Sequence, residues 1–269
     1  MTMNTTTQEP SLRSSMPAES LLFAGRLLTH WRREPVVPIQ ALLYPSFLLI
    51  AYNFLVAKSI MTITGKDALP GLVATCAVAG ALFGAMAATF TIRIEREWGI
   101  LSRFWVLPVH RASALTGRLI ADATRTLAGS IIITAVGVGL GLRFTGGWFS
   151  VIPFVLVPVM VGVVFSTALI AIAVHSTSNN LLVWLGVPAI AMVFASSGAP
   201  PIEMFPGWLQ PLVRFQPMWS AIKFMRSLAE GRHPAWGSLL VICLWGLVLA
   251  TLIGPLAIRG YRAAAESGR

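Results

Sequence analysis

The chain has 269 residues, 56% of them hydrophobic and only 11% charged, with a mean hydropathy of +0.76. A soluble domain of this length keeps far more charge on its surface, so the composition describes a polytopic membrane protein. The net charge of +10 comes from basic residues flanking apolar runs, a distribution that fits membrane topology and anionic headgroups rather than nucleic acid.

Residues 1–19 are polar, contain no apolar core of signal-peptide length, and read as a disordered cytoplasmic tail. Ser20–Glu34 follows as an amphipathic helix. At a hundred degrees per residue, Leu21, Phe23, Ala24, Leu27, Leu28 and Trp31 gather on one side, with Arg26, Thr29, His30 and Arg33 opposite. This is the pattern of a helix in the interface plane, either a plain anchor or a regulatory element.

The region 37–258 then carries six runs near the ~20 apolar residues that cross a bilayer. They are Val37–Ala57, Leu69–Ile92, Leu119–Leu142, Trp148–Val174, Asn180–Ser197 and Trp236–Ile258, with a basic tail at 259–269. Only Arg143–Gly147 separates the third run from the fourth, which forces a tight antiparallel hairpin. The fold expected is all-α. Arginine and lysine number twelve on the side of both termini and seven on the other, which places both termini in the cytoplasm.

Between the second and third runs, Arg93–Arg118 packs five arginines, two glutamates and two tryptophans into this sparsely charged chain. A helix is expected from Arg93 to Leu107, ended by Pro108. Ile94, Trp98, Leu101 and Trp105 form its apolar stripe, with Glu95, Arg96, Ser102 and Arg103 opposite. Glu97 interrupts the apolar side at pairing distance from Arg93. A carboxylate there suits a groove on a soluble partner; without one, the segment is a solvated interfacial loop.

Asp122 and Arg125 lie three apart on one face of the third run, a charge pair serving either as a gate or as structure. Tyr52 and Asn53, in the first run, either face a translocation path or bond across helices. Gly80, Gly84 and Ala88 form a small-residue ridge, matched by Gly137 and Gly141 on the third run. In Ala199–Arg232 five prolines forbid a continuous span, so short helices at or dipping into the outer interface are expected. Glu203 and Arg214 there either line an exit or belong to a structural plug. Cys76 and Cys243 read as packing residues, and the four histidines lack ligand spacing.

The run Glu95-Arg-Glu-Trp-Gly-Ile-Leu-Ser-Arg-Phe-Trp-Val-Leu-Pro-Val-His-Arg-Ala-Ser resembles the cytoplasmic signature of ABC-2-type permeases, nearest the daunorubicin-resistance-type exporters of actinobacteria. A second likeness lies at Phe205-Pro-Gly-Trp-Leu-Gln-Pro-Leu-Val-Arg-Phe-Gln-Pro and Trp219-Ser-Ala-Ile-Lys-Phe-Met-Arg. The resemblance implies the transmembrane half of an ATP-driven exporter of a hydrophobic or amphiphilic molecule, not an enzyme in itself. It makes Ser20–Glu34 a connecting helix and Arg93–Leu107 a coupling helix seated on an ABC ATPase. Glu95, Glu97, Trp98, Leu101, Arg103 and Trp105 are then its contact residues, and the partners are that ATPase, a second permease subunit and membrane lipid. No G-x-x-x-x-G-K-[ST] run occurs, so no cofactor is expected on this chain, with ATP and Mg held by the ATPase. Two rivals stand beside this reading: a proton-driven multidrug transporter, which needs intramembrane carboxylates beyond Asp122, and a membrane-embedded lipid-modifying enzyme, which needs clustered catalytic groups.

Overall fold

The computed structural model describes residues 15–33, 36–65, 67–98, 113–175, 187–188, 191–194, 196 and 206–266. Among these the chain forms α1 (Met16–Arg33), α2 (Val36–Thr64), α3 (Leu69–Glu97) and α4 (Ser113–Gly139). A short 3-10 turn, Trp148–Ser150, leads into α5 (Val151–His175), followed by α6 (Leu209–Phe215), α7 (Pro217–Ala229) and α8 (Trp236–Glu266). Five of these helices are long and apolar enough to cross a membrane: α2, α3, α4, α5 and α8. The expected span Asn180–Ser197 lies mostly outside the described residues, of which 187–188 and 191–194 are helical.

Lipid tails are as apolar as leucine, so spans associate where small residues let backbones approach. α3 is built for this and takes the centre, touching α2, α4, α5 and α7. Of its apolar window 72% is buried, against 11% for α2 and for α8, which stand at the periphery. A Cβ at Gly80 would come within 3.1 Å of Pro45 of α2, and one at Gly137 within 2.7 Å of Val73. Gly80 and Gly137 therefore serve packing within this chain, whereas Gly141, past the end of α4 at φ 110°, has open space around it. Leu72, Val73, Leu82, Phe154, Ile222, Phe224 and Met225 complete the main core.

α1 starts earlier than the expected amphipathic helix, at Met16 inside the segment read as a disordered tail, and it docks on α4. Its buried residues are Glu19, Ser20 and Ala24, while Leu21 and Leu22 are exposed. The Ser20 and Thr116 hydroxyls are 2.6 Å apart. A Cβ on Gly117 would stand 2.6 Å from both Phe23 Cβ and the Ser20 carbonyl oxygen, so α1 lies directly on the α4 backbone. Helical periodicity located the docked face: Phe23, Ala24, Leu27, Leu28 and Trp31 of the stripe are buried or half-buried, Arg26, Thr29, His30 and Arg33 are exposed, and Leu21 departs from the pattern.

At the opposite end of the bundle, the prolines break the chain as expected. Pro217 opens α7 at its first turn, where a missing N–H costs nothing. Ala221, Ile222, Phe224 and Met225 are buried, because α7 dips against α3 and α5. The α4–α5 hairpin holds it there: the Thr145 N–H and hydroxyl both donate to the Ala229 carbonyl at 3.2 Å. Gly231, at φ 63°, lets the chain turn against Gly146, whose N lies 2.9 Å from where a Cβ would be.

Gly117→Ala should lower stability by ~1–3 kcal/mol through overpacking against α1. Gly139→Ala, in α4 with open space around it, should be neutral or slightly stabilising. Thermal unfolding of both variants in detergent measures the difference.

Candidate coupling end and translocation groove

α4 presents a polar stripe to the interior. Arg118, Asp122, Thr126, Ser130 and Thr134 recur every fourth residue, which keeps them near one face. All five are buried, at 2–6% exposure. In a membrane span such groups need partners inside the protein. Thr134 donates to the Ser130 carbonyl at 2.7 Å, the turn before it. Arg118 donates from Nη2 to Glu95 Oε2 on the last turn of α3, at 2.7 Å. Asp122 Oδ1 lies 3.7 Å from Arg125 Nη2, with the Ser166 side chain of α5 beside it. The Arg125 guanidinium lies over Gly84 of α3, where a Cβ would overlap it. Among the described residues, Arg118 Nη1, Asp122 Oδ2, Ser130 Oγ and Ser166 Oγ make no hydrogen bond.

α3 does not end where the expected coupling helix begins. Arg93–Glu97 continues the second span as one helix. The membrane-length apolar part of α3 ends at Ile92, and the helix continues past it to Glu97. Glu95 turns toward Arg118, at 15% side-chain exposure. Ile94 and Trp98 do face outward, at 45% and 72%. Leu101, Arg103 and Trp105 lie outside the described residues, as do Glu203 and the side chain of Glu97.

The structure joins Asp122 and Arg125, as their spacing predicts. Tyr52 stacks on Phe194 at 5.8 Å between ring centres, and Asn53 beside it is half-buried. Arg214 is exposed on α6, far along the chain from the charged stripe. α6 itself is pinned by the Trp245 indole N–H, which donates to the Phe215 carbonyl at 3.2 Å. Sequence reasoning missed Arg118, which it placed in a surface loop. The signal was the fourfold spacing from Arg118 through Asp122 to Thr126 and Ser130.

A second feature is an apolar groove of about 1010 Å³ between α2, α3 and α4. Leu43, Phe47 and Ile50 form one wall, with Phe83, Ile132 and Val136 across from them. Tyr44 and Phe83 meet edge to face at 5.3 Å. The volume lies at the upper end of the ~300–1,000 Å³ range for drug-sized ligands.

Residues 19–229 match the ABC-2 type transporter family over most of the chain, including most of α1, the charged stripe and α7. The chain belongs to the ABC-2 type transporter family. The relatives agree. A probable doxorubicin resistance ABC transporter permease protein, DrrC, of Mycobacterium tuberculosis is 32% identical over 249 residues, covering 92% of this chain and 89% of the relative. A daunorubicin resistance ABC transporter permease protein, DrrB1, of Streptomyces coeruleorubidus is 25% identical, over 94% of this chain and 89% of its own. A putative transport permease, ycf38, of Cyanophora paradoxa is 25% identical over 81% and 76%. The ABC-2 chain is therefore a membrane-embedded permease subunit of an ABC exporter, not an enzyme, and membership implies association with an ABC ATPase.

Asp122→Ala leaves Arg125 as an uncompensated buried charge and should cost ~3–5 kcal/mol. Asp122→Ala combined with Arg125→Met should recover most of that loss, since an apolar pair needs no partner. Denaturant unfolding of single and double variants in mixed micelles reads both values.

Proposed function

We propose that this permease exports a hydrophobic or amphiphilic molecule, such as a complex lipid, glycolipid, polyketide or drug, across the plasma membrane. Its termini are cytoplasmic, and a related permease, or a second copy of this chain, completes the path. The cargo class is supported by the apolar groove, which offers no charged residue among its lining. The relatives named for doxorubicin and daunorubicin resistance point the same way.

The observation that carries the coupling role is the free apolar edge at the end of α3. Ile94 and Trp98 stand outside the bundle at the point where the chain enters the arginine-rich segment. An ABC ATPase, holding ATP and Mg, seats on that edge with Glu97, Leu101, Arg103 and Trp105. ATP binding closes the ATPase dimer, shifts this segment, and rearranges the spans around the path. Tyr52, Asn53, Glu203 and Arg214 belong to the path or its exit, and Asp122 and Arg125 to its inner gate. The lipid bilayer supplies the remaining partner, around the open faces of α2 and α8.

The chain purified alone should hydrolyse no ATP, and co-expression with its ATPase should give a stable complex. Glu97→Ala and Trp105→Ala should each leave insertion intact and weaken ATPase pull-down. A buried interfacial carboxylate whose loss strands its partner costs ~2–5 kcal/mol. Wild-type pull-down and doxorubicin efflux for both variants would remove the seating.

Orientation is tested separately. After replacement of Cys76 and Cys243, single cysteines at Lys66 and Arg232 should react with an impermeant maleimide in intact cells. Cysteines at Arg103 and Arg262 should react only after lysis; the reverse pattern inverts the topology.

A further inference from the structure

Building on the exporter reading above, we infer that Arg118 is a positioning residue that locks the ATPase-facing end of α3 to α4. The two helices then move as one body through the transport cycle. Glu95 stands on the last turn of α3, three residues before Trp98, and its carboxylate is held at 2.7 Å by Arg118. Both side chains are largely enclosed, at 15% and 7% exposure. One turn further along α4, Asp122 faces Arg118 and approaches Arg125, whose guanidinium covers Gly84.

α4 is thus tied back to α3 at two points, Glu95 and Gly84, separated by about 16 Å of helix. A single ion pair would act as a pivot. Two ties at different heights resist both sliding and tilting of one helix against the other. Slippage by one turn would carry Arg118 away from Glu95 and the Arg125 guanidinium away from Gly84, and within the bundle an unpaired charge is costly.

The network is not arranged for stability alone. A buried ion pair seldom stabilises more than an apolar replacement of the same size. Here Arg118 Nη1 and Asp122 Oδ2 are also left without hydrogen bonds. What the charges add is register, the property needed by a part that passes displacement from the membrane surface into the core. The polar stripe continues along α4 through Thr126 and Ser130, so the locked helix reaches from the ATPase side toward the opposite end.

The experiment uses the permease assembled with its ATPase in lipid nanodiscs, with Cys76 and Cys243 replaced. Spin labels at Thr91 of α3 and Ile120 of α4 report the α3–α4 distance. Labels at Ile120 and Val248 report α4 against α8. Vanadate trapping with ATP and Mg should leave the first distance unchanged and shift the second. In Arg118→Gln the first distance should shift and the second should not. Glu95→Gln, which keeps the shape and changes only the charge, should behave in the same way if Arg118→Gln folds poorly. Arg118→Lys should keep the wild-type pattern. A first distance that shifts in the wild type, a second that does not, or neutral variants with the wild-type pattern would overturn the inference. Failure of the wild-type chain to copurify with any ABC ATPase would instead remove the exporter reading.

Discussion

A helix enclosed by other helices in hydrocarbon must give up side-chain volume to gain contact, and α3 does so with Gly80, Gly84 and its alanines. Close approach is what positions everything around it. Pro45 of α2 sits against Gly80, and the Arg125 guanidinium of α4 fits over Gly84. The second contact would be impossible with any side chain present. The same small surface that packs the core therefore admits a charged group into it. Packing and electrostatics in this bundle depend on one another through two glycines.

The helix that uses this opening, α4, is polar along its hidden face and apolar where Ile120, Ile131 and Ile132 are exposed. That inversion is characteristic of a membrane span that faces other helices, since a lipid-facing polar stripe would leave its groups unsatisfied. α4 also receives α1 at Gly117 and Thr116, just before the stripe begins. One end of α4 therefore gathers the amphipathic helix and the end of α3. Displacement of any of these is felt by the same few turns.

The membrane class and the presence of long apolar helices were legible because hydropathy needs only local composition; their ends were less so, since α4 starts at Ser113, ahead of the expected Leu119. The Asp122–Arg125 pair was legible for a similar reason, since three residues on a helix fix the neighbourhood. Partners distant in the chain were not. The Glu95–Arg118 contact joins residues on either side of a segment that composition marks as surface, and both were read with that surface. The docked face of α1 was legible on a helical wheel, since Phe23, Ala24, Leu27, Leu28 and Trp31 are buried or half-buried and Arg26, Thr29, His30 and Arg33 are exposed. What the wheel does not give is the receiving surface, which is set by where Gly117 leaves room. α7 was anticipated as a short helix by Pro217, but its depth follows from packing against α3 and α5, which no local pattern encodes.

The turn between α4 and the 3-10 turn, residues 140–147, resembles at Thr145-Gly146-Gly147 a surface loop open to modification. Its bonds say otherwise. Thr145 is fastened to the last carbonyl of α7, and Gly146 lies against Gly231 with no space between them. Tolerance to insertion follows the burial and hydrogen bonding of the backbone rather than loop appearance. An epitope tag or fluorescent protein placed at residues 143–147 would unfasten α7 from the core while leaving every transmembrane helix intact.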